Sequence, residues 1–276
     1  MLNQPLIHRA LWLSIILSLF TFLIKPVFAI ELSLSGDYTQ GGLIIGKTDE
    51  GNTVTFNGQQ LQMSAKGDFI FGFGRDDKLE HVLEITNSDK KSVKHMINIA
   101  KRDYKIQRIE GVAKKYVSPP PEVLSRIKQD NIQIANARAV RSDRLDFLSP
   151  MLKPVKGPIS GVYGSQRYFN GEPKRPHYGL DIAAKTGTPV AAPLAGKVTL
   201  AHADMYYSGG TIIIDHGLGL TSTYIHLSAV DVMENQEIKQ GQVIGKVGAT
   251  GRVTGPHLDW RFNWLDKRLD PALLMN

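Results

Sequence analysis

His257-Leu258-Asp259-Trp260-Arg261-Phe262-Asn263-Trp264 alternates apolar and polar residues without a break. Read as a strand, it places Leu258, Trp260, Phe262 and Trp264 on one face and His257, Asp259, Arg261 and Asn263 on the other. The two-residue step sets His257 and Asp259 side by side, about 6.5–7 Å apart along the strand, where they can serve one metal ion and its water. The plainer alternative is a His–Asp ion pair that helps folding. Arg261 shares the polar face and is expected to pair with Asp259. Gly255-Pro256 stiffens the approach to the strand.

Around this strand, the chain from Lys156 onward is rich in glycine and in short strand-like runs, among them 196–201, 210–215, 221–226 and 242–247. Ser222 to Leu227 reads as a strand with Tyr224 and His226 on one polar face and Ile225 and Leu227 on the other. His177-Tyr-Gly-Leu-Asp181 has a spacing that would share a helix face, but Pro176 and Gly179 argue against a helix. A bent passage from loop into strand, with Gly179 permitting the bend, can still bring both side chains to one point. Neither motif means much alone. There is no H-E-x-x-H and no Gly-x-Ser-x-Gly, and Gly245 to Gly251 lacks the Gly-Lys-Ser/Thr ending of a phosphate loop. The chain has no cysteine, which excludes disulfides and thiolate chemistry, so any transition-metal site must draw on His, Asp and Glu.

The first half reads differently. Strand-like runs at 43–45, 53–56, 60–63, 69–71, 81–85 and 93–99 are separated by turn signals, of which Asn57-Gly58 is the strongest. This spacing suggests a small β-sandwich over 30–107, with His81 and His95 structural. Pro119-Pro120-Pro121 breaks the chain, and residues 122–147 then carry a helical pattern free of Gly and Pro inside a linker, 108–155. The N-terminus has Arg9, an apolar run from Ala10 to Ile24, and Val27-Phe28-Ala29 at a cleavage position. This is signal-peptide anatomy for residues 1–29, with an uncleaved inner-membrane anchor as the alternative. Export to the periplasm or cell envelope is the expectation. A net charge of +7 suits an anionic polymer, but the basic residues are too dispersed for a nucleic-acid surface.

Taken together and in order, several short pieces of the second half resemble the M23 (LytM/lysostaphin-like) zinc metallopeptidase family. They are Val162-Tyr163-Gly164, His177-Tyr-Gly-Leu-Asp181, Thr186-Gly-Thr-Pro-Val190, Gly196-Lys-Val198, Tyr224-Ile-His226-Leu227, Gly241-Gln-Val-Ile-Gly245, Gly248-Ala-Thr-Gly251 and Thr254-Gly-Pro-His257-Leu258. The resemblance covers roughly residues 158–265. It implies a mainly β chain whose C-terminal domain, 156–276, is a LytM-like antiparallel β catalytic domain that cleaves peptide bonds in bacterial peptidoglycan.

By the same resemblance, His177 and Asp181 match the first two zinc ligands, and His226 and His257 match catalytic histidines. The chain departs from the family at the second His of its H-x-H motif, the third zinc ligand, where Asp259 stands. Asp is a competent oxygen ligand for Zn²⁺, though a His/Asp/Asp set carries one more negative charge and weakens the Lewis acid. Two outcomes follow: a working variant site, or a site that has lost its metal. The favoured expectation is an exported zinc endopeptidase. The alternative is an inactive LytM-like regulator that activates a cell-wall amidase and works with divisome proteins. A third reading makes the N-terminal β domain a wall-binding unit, or an inhibitory cover over the groove. His202 and His216 fall outside the motif and are expected to be structural.

Overall fold

The computed structural model describes residues 31–111, 116 and 118–275; the expected export signal, 1–29, lies outside them. Asn57 and Gly58 take φ values of 50° and 80°, the left-handed pair that a tight two-residue hairpin requires. That turn joins β3 and β4 within the series β1 (Leu32–Gly36), β2 (Leu43–Thr48), β3 (Thr53–Phe56), β4 (Gln59–Gln60), β5 (Asp68–Gly72), β6 (Glu80–Thr86) and β7 (Ser92–Asn98). These strands form two sheets, ordered β1-β2-β5 and β4-β3-β6-β7. The sheets meet through aromatic rings: Phe56 stacks on Phe71 at 4.6 Å and meets Phe73 edge-on at 6.0 Å. A further strand, β8 (Ile106–Ile109), leaves this unit altogether.

The linker helix is shorter than its sequence pattern. A 3₁₀ turn at Pro121–Val123 leads into α1 (Leu124–Ala139), eight residues short of the predicted end at 147. Val140 is extended, and the Arg141 guanidinium donates to the carbonyl oxygens of Arg138 and Val140 at 3.0 and 2.8 Å. Those are the carbonyls a helix end leaves unpaired, and a basic side chain caps them. Beyond the cap, the Leu218 amide donates to the Ser142 carbonyl at 2.9 Å, which ties this stretch to the main sheet instead of continuing the helix. On α1, Ile134 and Ala137 pack on Leu200, Met205 and Ile213, and Asp130 accepts the Tyr206 amide at 2.7 Å.

The remaining strands are β9 (Ile159–Gly161), β10 (Gln166–Phe169), β11 (Glu172–Pro173), β12 (Leu180–Ala183), β13 (Pro189–Ala191), β14 (Gly196–Met205), β15 (Gly209–Gly217), β16 (Leu220–Val230), β17 (Glu237–Ile238), β18 (Val243–Val247), β19 (His257–Trp264) and β20 (Lys267–Leu269). Among the described residues, ten of them make one sheet with the path β17-β14-β15-β16-β19-β12-β9; β13 and β18 join through β16, and β20 pairs with β19. Every pairing in this sheet is antiparallel. A small fourth sheet, β11-β10-β8, brings β8 alongside β10 in parallel. The alternation at 257–264 holds: Leu258, Trp260, Phe262 and Trp264 enter the core, while His257, Asp259, Arg261 and Asn263 face the other way. The chain is mainly β, with an N-terminal unit of strands and a large antiparallel sheet.

The two units share one apolar core. Trp264 of β19 meets Phe56 of β3 edge-on at 6.4 Å, and the buried cluster runs from Leu43 to Leu269 without a gap between the units. Polar ties border it: the Asp270 amide donates to the Gly41 carbonyl at 2.8 Å, Arg102 pairs with Asp270 at 2.9 Å, and Lys267 pairs with Asp77 at 2.8 Å.

His216 is structural, as expected. Its Nδ1 donates to the Ala195 carbonyl at 2.6 Å, which leaves Nε2 to accept from the Ser222 hydroxyl at 2.7 Å. Burial drives its pKa from 6.5 down to about 4. Between those values the unfolded chain takes up a proton that the folded one refuses, so stability from this group falls as pH falls. The stability advantage of wild type over a His216→Gln variant should therefore shrink by about 1–2 kcal/mol between pH 7 and pH 5. Urea melts of both proteins at each pH measure it, and a gap that widens toward pH 5 contradicts the assignment.

Candidate metal centre and cleft

β12 and β19 are antiparallel neighbours, and their register sets Asp181 directly opposite Asp259. His177 precedes β12 in the bent passage expected from Pro176 and Gly179, with its amide bonded to the Ser165 carbonyl at 2.8 Å. Three side chains converge there. One ligand-capable atom from each of His177, Asp181 and Asp259 lies within 4.8 Å of the others, and all three residues are buried. His177 Nε2 is 3.0 Å from Asp181 Oδ1 and 3.4 Å from Asp259 Oδ2. These approaches are close but badly directed for hydrogen bonds, and both His177 Nε2 and Asp181 Oδ1 are left buried without a partner of proper geometry. Atoms that aim at a common point instead of at one another fit the donor set of a cation.

The surroundings close tightly on the two carboxylates. A Cβ on Gly161 would fall 2.3 Å from Asp181 Oδ2, and one on Gly179 would fall 2.4 Å from Asp259 Oδ1, so both carboxylates occupy space that only glycine leaves open. Arg261 grips Asp259 with two bonds, Nε to Oδ1 at 2.8 Å and Nη2 to Oδ2 at 2.6 Å, the pairing the sequence suggested. Arg167 donates through Nη2 to Asp181 Oδ2 and through Nε to Gln107 Oε1. Burial alone would raise both carboxyl pKa values. Arg261 and His177 nevertheless hold Asp259 well below the usual carboxylate range, and His177 and Arg167 hold Asp181 below it despite the nearby Asp259 charge. Both acids are thus ionised at neutral pH. For His177, burial disfavours the imidazolium, but the two carboxylates outweigh it and raise the pKa.

Two more imidazoles flank this cluster. The alternation reading misplaces Tyr224, which is buried in the core and not on a polar face; strict alternation from there would send His226 into the core as well. The register of β16 against β15 shifts between Tyr224 and Leu227, and His226 takes φ 67°, so a bulge turns its ring into the cleft. His226 and His257 then face each other with ring centroids 5.1 Å apart, and His257 Nε2 lies 3.8 Å from Asp181 Oδ1.

One pattern unites the three rings. Nδ1 of His177, His226 and His257 contacts the carbonyl oxygen of Val162, Thr250 and Gly255 at 3.2, 2.8 and 2.9 Å. A carbonyl only accepts, so each Nδ1 carries a proton and each ring turns its Nε2 toward the site. Burial lowers the His226 pKa to about 4, which keeps that ring neutral at pH 7.

These groups line a cleft of about 160 Å³, which Asp181, His226 and His257 share with Arg167, Arg252 and Gln107. Sequence reasoning missed the last three. Gln107 reaches the site because β8 pairs with β10, a long-range contact without a local signal. Arg252 directly follows the glycine turn 245–251 and precedes the motif ending in His257, so its position next to a recognised motif was the available clue. His202 sits apart, its Nδ1 accepting the Asp204 amide at 3.1 Å.

The model of peptidase family M23 matches residues 175–271. A crystal structure from Pseudomonas aeruginosa, assigned to peptidase M23, is 30% identical and superposes with a TM-score of 0.68 over 87% of this chain and 95% of that one. The chain belongs to peptidase family M23. The peptidoglycan DD-endopeptidase ShyA of Vibrio cholerae is 42% identical over 85 residues, 31% of this chain and 20% of that protein. The cell division protein DipM of Caulobacter vibrioides is 30% identical over 165 residues, 58% of this chain and 26% of that protein. The match thus spans only about a quarter of DipM and a fifth of ShyA.

Proposed function

We propose that this protein is a zinc-dependent endopeptidase that hydrolyses peptide cross-links or stem peptides of bacterial peptidoglycan. The observation that carries the reading is the convergence of His177 Nε2 and the Asp181 and Asp259 carboxylates at the foot of a cleft bordered by His226 and His257. His177, Asp181 and Asp259 would hold the metal, which supplies Lewis acidity toward the scissile carbonyl when bound. His226 Nε2 accepts the proton of the attacking water, and His257 Nε2, within reach of Asp181, orients that water and hydrogen-bonds the tetrahedral oxygen once protonated. The Thr250 and Gly255 carbonyls hold both rings in the tautomer this requires. No glutamate base is needed. Membership of M23 and the likeness to a peptidoglycan DD-endopeptidase support the substrate class. On this reading residues 1–29 direct export, the protein acts in the periplasm or cell envelope, 30–107 and 156–276 are the accessory and peptidase domains, and 108–155 link them.

One observation favours the second reading, a metal-free regulator of a wall amidase or of divisome proteins. Arg167 and Arg261 already balance the charges of Asp181 and Asp259. The likeness to a cell division protein points the same way. Metal analysis of the purified chain, with mass spectrometry of digested peptidoglycan, decides between them. About one zinc per chain, with shortened peptides that vanish on chelation and return with zinc, is the expected result. Neither metal nor products would leave the regulator.

A further inference from the structure

Arg252 lines the same cleft as the histidines and is held firmly by groups that form no ion pair with it. Its amide donates to the Tyr207 carbonyl at 2.8 Å. The preceding Gly251 has φ 73° and is pressed so close to the 207–209 turn that a Cβ would lie 2.5 Å from the Tyr207 oxygen. The guanidinium carbon sits 4.5 Å from the centre of the Tyr207 ring and 5.1 Å from that of Phe169. Among the described residues no carboxylate lies within ion-pair distance of it. Its neighbour Arg167 differs, with donors committed to Asp181 and Gln107. Burial, with Arg261 and Arg167 close by, makes the Arg252 charge costly and lowers its pKa.

We propose that Arg252 is the anchor for a free carboxylate of the bound peptide, and so a specificity residue of the cleft. A fixed, planar guanidinium with unused donors matches a carboxylate with two parallel hydrogen bonds. Its place beside His226 and His257 puts that carboxylate near the bond to be cut. The inference rests on the peptidase reading for its substrate and adds a demand that reading does not make: the peptide must carry a negative charge near the scissile bond. Two sources share this chemistry, the α-carboxylate at a peptide C-terminus and a side-chain carboxylate beside the scissile bond.

Isothermal titration of the full chain with three synthetic wall peptides distinguishes them: one with both carboxylates free, one amidated at the C-terminus, one amidated at the side chain. One amidation should weaken wild-type binding about ten- to a hundredfold and identify the source. Arg252→Gln should bind all three alike, and Arg252→Lys should keep part of the preference. Equal wild-type binding of all three peptides, no binding of any, or a preference that survives in Arg252→Gln overturns the proposal. The wild-type comparison decides alone if a variant fails to fold. Turnover of a cross-linked peptide is read in parallel: a charge preference in binding without hydrolysis sinks the endopeptidase and leaves the carboxylate anchor standing.

Discussion

Replacing His177 with alanine should strip the metal from the purified protein and lower peptidoglycan hydrolysis by about a thousandfold or more. The imidazole contributes the one nitrogen of the set, and its Nε2 lies 3.0 and 3.4 Å from the two carboxylates. Without it, two ionised acids remain on paired strands, each already bound to an arginine. Two such oxygen ligands hold Zn²⁺ far more weakly than three converging ones, and even loss of an orienting neighbour costs about ten- to a hundredfold in affinity. Zinc per chain and the rate of peptide release are the two measurements. A His177→Ala protein that retained both zinc and activity would show that the cluster is not the metal centre.

Asp259→Ala should cost stability as well as metal. Asp259 is 1% exposed, and its carboxylate is the only acid that Arg261 pairs with among the described residues. Truncation leaves that guanidinium facing an empty, low-dielectric space and leaves His177 short of one of the two acids that raise its pKa. Removing one member of a buried pair costs about 3–5 kcal/mol; the Arg261 side chain keeps 25% exposure, so solvent screens part of this and the lower end, about 3 kcal/mol, is expected. In a chain of this size that corresponds to a drop of about 6–12 °C in Tm. Asp259→Asn, which keeps the shape and one acceptor for Arg261, should recover part of the stability but not the metal. Calorimetry of the zinc-free proteins separates the two effects; an Asp259→Ala melt unchanged from wild type would contradict the account.

What the sequence revealed depended on how local each cause was. Alternation over 257–264 is a property of eight adjacent residues, and it survives folding intact because both faces of β19 are specified, one by packing and one by charge. The Asn57-Gly58 turn was legible for the same reason. Tyr224 was misread, and His226 reaches the cleft despite it, because a bulge is set by the partner strand's register, which the residues around His226 do not encode. The helix was drawn too long because its end lies in a tertiary tie, Leu218 to Ser142, and in an arginine cap, not in a Gly or Pro. Gln107 was invisible in principle: a strand that departs from one unit to pair with β10 of another leaves no periodic trace. Arg261 was legible because its partner is two residues away on the same face.

The contact between Phe56 and Trp264 carries a lesson for anyone cutting this chain into pieces. Rings that keep each other dry across a border cannot be parted cheaply; a fragment beginning after residue 107 would wear Trp264 and Leu269 on its outside and tend to clump. The N-terminal unit is therefore less a passenger than half of a shared keel, and loosening either side should loosen the other.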